Sequence, residues 1–525
     1  MSLVNHFKIA VTPKKRLRRA WVRACVLIGW TLLAGLSVAN FGKADALFAD
    51  APDGETEFEL ARYKEAIPLL RQTVAQDPGK PAPAAHLLSA LVHEGQLGEA
   101  ETLGAQLEQN FPNSADALAA RGDLSFYRGD LPGAEKLWIA ALKASPDNAL
   151  AYFGLYRVYR AASMYFGARN RVMKAHDLDP ANLEIARVWF ALLTPEKRKE
   201  LFEEYRRFNQ PVNSDEELQE DFGEAIEKEL NGRRMFEPVN PPKETTLKLG
   251  LLGDPRRVRG VSLEVRLNGQ KPLHLLFDTG ASGIMISVRA AEKLGLKLVG
   301  ATEAWGIGDQ GAKAVNGAIS DGCSVGSIEY KNCFLRAVEG RDVGDQDGLI
   351  GADFFAAYVM TIDFQRLTLR LKPQPERPPR AQGYDRTVPE DEKDFSPVFR
   401  FGHHLMLTTL ANEKVVGLFL IDTGSELSIM DSVYAREAGK IHGDERTVVK
   451  GLSGKANKVW EADDILLQFA HFRQRNLGMV VADLNSSGKP APVRMSGIFG
   501  LPVLALFRLT LDYRNGLVKF DYLLK

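Results

Sequence analysis

The triplet Asp-Thr-Gly stands twice in this chain, as Leu275-Leu276-Phe277-Asp278-Thr279-Gly280-Ala281-Ser282 and as Phe419-Leu420-Ile421-Asp422-Thr423-Gly424-Ser425, each time after a short apolar run. A lone copy is ordinary turn chemistry, because Asp and Gly sit where a loop wants them. Here, however, the surroundings repeat in register. Ten residues before each Asp is a turn-like pair, Asn268-Gly269 and Asn412-Glu413. Close to thirty residues after each comes a glycine-rich turn, Trp305-Gly306-Ile307-Gly308 and Lys450-Gly451-Leu452-Ser453-Gly454. Further on, two apolar residues precede a glycine, as Leu349-Ile350-Gly351 and Ile498-Phe499-Gly500, and twelve residues beyond each of these glycines is another Asp, Asp363 and Asp512. Five landmarks in one order make an internal duplication.

The duplicated unit reads as β-rich. Val261-Ser262-Leu263-Glu264-Val265-Arg266-Leu267 alternates apolar and polar residues with the period of a half-buried strand. Residues 372–394 hold Pro373, Pro375, Pro378, Pro379 and Pro389 among charges and read as a linker. The two units therefore fall at 248–371 and 395–525, two small all-β lobes facing each other across the Asp loops.

An Asp-Thr-Gly loop, a glycine-rich flap and an apolar-apolar-Gly segment in that order resemble one lobe of a retropepsin-like aspartic peptidase, and the resemblance covers residues 246 to 525. That family works with two lobes, either as a homodimer or as a fused pair, and each lobe donates one aspartate. The resemblance implies that Asp278 and Asp422 are the catalytic pair and that Thr279 and Thr423 tie the two loops together. Gly280 and Gly424 permit the tight turn and let amides approach the carboxylates. Ser282 and Ser425 place a hydroxyl near them, at different offsets in the two copies. Gly306, Gly308, Gly451 and Gly454 become flap glycines over an extended peptide, with a plain surface turn as the alternative. Gly351 and Gly500 read as structural, letting a strand pass close behind the loop, and Asp363 and Asp512 as turn or packing features rather than catalytic groups.

The residue chemistry agrees. Two carboxylates face to face cannot both ionise cheaply, so such a pair shares one proton. The ionised member acts as general base on a water while the protonated one polarises the scissile carbonyl. This chemistry needs no metal and no cofactor.

Ahead of the lobes runs a second repeat with a period of 34: Pro78, Pro112, Pro146 and Pro180, each twelve residues after Ala66, Ala100, Ala134 and Ala168. Length and Ala-to-Pro spacing resemble tetratricopeptide repeats, pairs of antiparallel helices stacked into a curved solenoid. The small Ala sits where helices approach closely, and Pro closes the second helix of each pair. We place this all-α domain at 47–208, followed by a polar, partly helical connector at 209–247. Tyr127, Trp138, Tyr152, Phe153, Tyr156 and Tyr159 are candidates for a peptide-docking groove, although helical spacing makes most of them core. Because no candidate catalytic side chain precedes residue 260, the repeats read as separable from catalysis on short peptides.

The first 46 residues are of another kind. Lys14-Lys15-Arg16-Leu17-Arg18-Arg19 precedes an apolar run from Ala24 to Ala39 and a small-x-small pattern, Ala44-Asp45-Ala46. This resembles a cleaved signal peptide, with an uncleaved N-terminal anchor as the rival; the run falls short of the roughly 20 residues that span a bilayer. Either places the rest of the chain across a membrane, in the periplasm or outside the cell. Beyond this segment only Cys323 and Cys333 remain. They flank a hairpin and can pair in an oxidising compartment, although two unpaired half-buried thiols are the commoner outcome.

Other function classes find little support. Lys plus Arg and Asp plus Glu both number 67, so no charge imbalance points to nucleic acid. HExxH, CxxC, GxxxxGK and GxSxG patterns are missing from the sequence. His403-His404 lacks nearby ligand partners and reads as surface or core. The chain thus reads as a multidomain protein, an N-terminal all-α tetratricopeptide-repeat solenoid and two retropepsin-like lobes, acting as an aspartic endopeptidase. Its partners are a protein or peptide substrate and a possible protein docked on the repeats, with no nucleic acid and membrane contact only through an uncleaved N-terminus. The alternatives are a scaffold that holds peptides without cleaving them, and a dimer that pairs equivalent lobes between molecules.

Overall fold

The computed structural model describes residues 53–205, 214–254, 257–304, 306–309, 311–339, 347–376, 393–444, 446–485 and 492–523. The signal or anchor segment, most of the 372–394 linker and Trp305 lie outside the described residues. Among those described, no helix is long and apolar enough to cross a membrane.

Helices run in antiparallel pairs from Gly54–Glu59 to Pro195–Tyr205, with complete units such as Ala115–Tyr127 with Leu131–Ala144 and Ala149–Ala161 with Tyr165–Leu178. The sequence markers do their expected work: Ala66, Ala100, Ala134 and Ala168 are all at most 3% exposed, and each Pro of the period follows the second helix of a pair. Asn148 and Asn182 cap the helices they precede by accepting the N–H three residues on. Trp138 fills the space between neighbouring pairs. A Cβ at Gly122 or Gly154 would stand 2.5 or 2.1 Å from its indole, so both glycines are required by close approach.

The aromatic candidates are mostly core. Trp138, Phe153 and Tyr156 are buried, and Tyr127, Tyr152 and Tyr159 are half-buried. One side of the stack is bridged by its own polar groups: Ser89 donates to Asp123, Arg157 pairs with Asp123, and the Tyr63 hydroxyl crosses to Glu184 at 2.8 Å.

Each lobe is a strongly curved sheet with the same core topology. In lobe 1, Leu273–Asp278 pairs parallel with Gly348–Gly351, which pairs antiparallel with Ile284–Ser287. In lobe 2, Val415–Ile421, Gly497–Phe499 and Ile429–Asp431 repeat this arrangement. The asparagine landmarks are also equivalent. Asn268 and Asn412 both have positive φ, and their N–H groups donate to Gly322 and Leu466 at 2.8 Å.

The lobes are fused through a six-stranded sheet to which both contribute. At its centre Tyr358–Asp363 pairs antiparallel with Phe507–Asp512, and the Thr361 and Thr510 hydroxyls meet at 3.2 Å. One continuous apolar core, from Leu247 to Phe520, runs through both lobes. Asp363 and Asp512 cap the following turns by accepting from Arg366 and Asn515.

Two attachments differ from the sequence reading. The connector helix Ser214–Leu230 lies on lobe 1, burying Phe222, Ile226 and Leu230 against Val299, Ile319 and Phe334, and so covers the edge strand Leu298–Ala304. The repeats are not free of the lobes either: Met406, Leu418 and Val493 of lobe 2 join Phe126, Leu131 and Trp138 in one cluster. Arg128 pairs with Glu437 at 2.6 Å, the Arg494 N–H donates to the Tyr127 carbonyl at 2.6 Å, and Gly129 rests on Leu418. The two cysteines, left more often unpaired by sequence reasoning, form a disulfide with Cα atoms 6.0 Å apart, inside the range a bridge requires.

Candidate active site

Each Asp-Thr-Gly triplet leaves a strand end whose preceding residue, Phe277 or Ile421, is fully buried. The chain must turn sharply there, and the turn is closed on the carboxylate itself. The Gly280 N–H donates to Asp278 Oδ1 at 2.7 Å, and the Gly424 N–H to Asp422 Oδ1 at 2.8 Å. Ser425 adds a second amide to Asp422 at 3.1 Å.

The threonines lock the loops to each other. Thr279 Oγ1 donates across to the Ile421 carbonyl at 2.6 Å and accepts the Thr423 N–H at 3.0 Å. Thr423 Oγ1 donates to the Phe277 carbonyl at 2.8 Å and accepts the Thr279 N–H at 3.1 Å. Both side chains are fully buried, so four satisfied polar contacts hold the lobes in register where an unpaired group would be costly. A Cβ on Gly280 would lie 2.8 Å from Asp422 Cγ, and one on Gly424 would lie 2.4 Å from Asp278 Cγ. The space a side chain would fill on each loop is thus taken by the opposite carboxyl group, and the two aspartates face each other within one chain.

Electrostatics follow from that approach. Asp422 is 8% exposed, and its carboxyl is held well above the usual range, by burial first and then by the Asp278 charge and the hydrogen bond between the two groups. Asp278, which stays partly accessible, is also raised by burial, with the Gly280 amide and the bond to Asp422 opposing. Such a pair titrates as a unit that keeps one proton where isolated carboxyls would have lost both.

The glycine-rich turns of the two lobes meet each other. Gly306 donates to Ser453 Oγ at 3.1 Å, Ser453 N–H to the Ile307 carbonyl at 3.1 Å, and Asp309 N–H to the Lys455 carbonyl at 3.2 Å. Gly308, at φ +121°, lies so close to the Ser453 and Gly454 carbonyls that a side chain has no room, and Gly451 presses likewise on Ile307. The tips also exchange apolar residues. Ile307 packs with Ile429, Val449 and Ala482 of lobe 2, and Leu452 with Met285, Val315 and Val338 of lobe 1.

The serines act differently from the sequence expectation, because their hydroxyls turn away from the paired carboxyl groups of Asp278 and Asp422. Ser282 Oγ donates to Asp353 Oδ2 at 2.7 Å, and Ser425 Oγ to the Leu427 carbonyl at 2.8 Å. Backbone amides hold Oδ1 of each carboxylate, and the hydroxyls brace the loops instead. Gly351 and Gly500 pass directly behind: a Cβ would stand 2.4 Å from the Ala281 carbonyl or 2.1 Å from that of Leu427.

Two groups at the site escaped sequence reasoning. Asp353 accepts from both Ser282 and the Gly283 N–H. His404 reaches from lobe 2 to the Gly280 carbonyl at 3.1 Å. Asp353 lies two residues past a duplicated landmark, where the other copy has Pro502, and that break in the repeat is the one available signal.

Comparison with known families agrees at the domain level. Residues 263–354 match the family described as aspartyl protease, and residues 57–124 match the tetratricopeptide repeat. The chain therefore carries tetratricopeptide repeats ahead of an aspartyl protease domain; the protease match spans lobe 1, and lobe 2 is its geometric duplicate. No curated protein matches the chain.

Proposed function

We propose that this protein is an aspartic endopeptidase whose single active site is shared by its two lobes. The observation that carries this reading is the reciprocal seating of each loop glycine against the other lobe's carboxyl group, Gly280 on Asp422 and Gly424 on Asp278. A water held between the two carboxyls loses its proton to the ionised one while the protonated one hydrogen-bonds the substrate carbonyl. The resulting tetrahedral intermediate collapses as the leaving nitrogen takes a proton from the pair, which returns to its starting state. Extended protein or peptide is the substrate class, and the interlocked flap tips must part to admit it. Two loops meeting within one chain favour this over a dimer with two sites.

The Cys323–Cys333 bridge supports placement in an oxidising compartment, periplasmic or extracellular. A protein partner on the repeats belongs to the same proposal.

The test is to incubate the protein with a mixed peptide library from acidic to mildly alkaline pH, with and without a pepstatin-type inhibitor. We expect inhibitor-sensitive cleavage, and Asp278→Asn or Asp422→Asn should each lower it by about a thousandfold. Peptides retained intact by the wild-type protein would make it a peptide-binding scaffold.

A further inference from the structure

We propose that His404 is a positioning residue of this active site, donating from Nε2 to the Gly280 carbonyl and so fixing, from lobe 2, the peptide unit that faces Asp278 in lobe 1. The proposal rests on the peptidase reading for its kinetic consequence but not for its geometry. His404 opens the strand His404–Ala411, just after a turn at Gly402, and that strand pairs with Val415–Ile421, which delivers Asp422. One strand pair of lobe 2 thus supplies both the partner aspartate and a prop for the opposite loop.

The chemistry fixes the direction of the bond. A carbonyl oxygen only accepts, so the ring nitrogen 3.1 Å away must carry the proton. Burial pushes the imidazole down to about 4, so at neutral pH the ring is uncharged, and the bond to the carbonyl makes Nε2–H its tautomer. The His403 ring lies tilted against it, with ring centroids 4.0 Å apart and planes at 59°; around them stand Asp353, Arg336 and Asp278, whose charges act on His403.

The link to chemistry runs through one peptide unit. The Gly280 carbonyl and the Ala281 N–H belong to the same amide, and that N–H, with Gly280's own, favours the ionised form of Asp278. Donation to the carbonyl polarises the amide and strengthens its N–H toward the carboxylate. Lobe 2 uses another device for the same task, since Ser425 donates its own N–H directly to Asp422.

The test compares His404→Ala with His404→Gln, whose amide keeps a donor. Losing one hydrogen bond that orders the transition state should lower kcat of the Ala variant by about tenfold with little change in KM. Its acid limb should move upward by roughly a few tenths of a pH unit as the ionised carboxylate loses support. The Gln variant should recover most of the lost turnover, which a merely space-filling ring would not allow. Independently of turnover, ring-nitrogen NMR of the wild-type protein should show His404 as a neutral Nε2–H tautomer at about pH 6 to 8. An Ala variant with wild-type kcat, a Gln variant as impaired as Ala, or an Nδ1–H tautomer would each overturn the proposal. A wild-type protein that cleaves nothing would defeat the peptidase reading instead, and the NMR result would still decide the hydrogen bond. Should the Ala variant fail to fold, the Gln variant and the tautomer carry the decision.

Discussion

In lobe 1 the Asp-Thr-Gly loop is braced from outside its own turn: Ser282 and Gly283 both reach Asp353, some seventy residues further on, and His404 arrives from the other lobe. In lobe 2 the equivalent loop is braced from its own lobe: Ser425 donates within the turn to Asp422 and to the Leu427 carbonyl, and the Gly500 N–H, 72 residues further on, donates to Ser428 Oγ. The contrast continues away from the site. Lobe 1 carries a disulfide and the helix Ser214–Leu230, whereas lobe 2 carries the repeat stack. What has stayed the same is what both copies must do together, namely the carboxylate turn and the crossed threonines. What has diverged is the support around those shared parts.

The largest test of this contrast is removal of residues 53–205. Met406, Leu418 and Val493 would lose their cover, at about 1.5–3 kcal/mol for each buried side chain. The sum approaches the whole stability of an ordinary domain. We therefore expect the truncated protein to aggregate, or to lose at least about tenfold in kcat/KM on a short peptide, because Leu418 lies on the strand Val415–Ile421 that leads directly into Asp422. A soluble truncation with unaltered kinetics would restore the separable repeats that the sequence implied, and would reduce the contact to incidental packing.

That disagreement shows which parts of the molecule were legible. The Asp-Thr-Gly loops, flap glycines and repeat helices rest on local patterns that recur at fixed spacing, and the structure brings Asp278, Asp422, Thr279 and Thr423 together. The contact of Tyr127 and Gly129 with Arg494 and Leu418 joins residues some three hundred positions apart and leaves no period to read. His404 reads from the sequence only as surface or core, since its partner is a backbone carbonyl whose identity leaves no trace there. The Cys323–Cys333 bridge turned on a Cα separation that only the hairpin's pairing sets. The serine hydroxyls were placed on the right loops but toward the wrong acceptors, because competition from backbone amides cannot be counted from residue types.

A smaller effect is expected from Cys323→Ala with Cys333→Ala. The bridge closes a loop of ten residues between strands Lys313–Val325 and Ile328–Val338, and chain entropy assigns such a loop about 2 to 3 kcal/mol. Lobe 2 builds its equivalent ladder, Val459–Phe469 with Phe472–Ala482, with no cysteine at all. Chemical denaturation should therefore show lobe 1 weakened while peptide cleavage stays within about twofold, because Cys323 pairs with Leu267 at one end of strand Arg257–Leu267, whereas the strand leading to Asp278 pairs Leu276 with Ser262 toward the other. Lost activity would show instead that the bridge helps to shape the cleft.

The smallest effect concerns pH, and it separates the two aspartates. Burial pushes His404 and His176 down to about 4, so the unfolded chain binds more protons than the folded one below the ordinary histidine value of 6.5. Their contribution is complete above about pH 6.5 and is lost as pH falls through about 4. The aspartate pair acts in the opposite sense. Its folded carboxyls are raised, so the folded state holds a proton that the unfolded chain has released, and stability is lost as pH rises from the ordinary carboxylate value through the folded one. Asn cannot ionise and keeps the amide contacts at Oδ1, so Asp422→Asn should unfold at a higher temperature than wild type near neutral pH, by roughly 2–4 °C, with the gap closing toward pH 4. Asp278→Asn should show the same trend with a smaller gap, because burial and its neighbour's charge raise Asp422 further than burial, opposed by the Gly280 amide, raises Asp278. Equal gaps in a calorimetric pH series would mean that the two loops, despite their different bracing, present their carboxylates identically; a wild type more stable than both variants at neutral pH would mean that the pair does not share a proton at all.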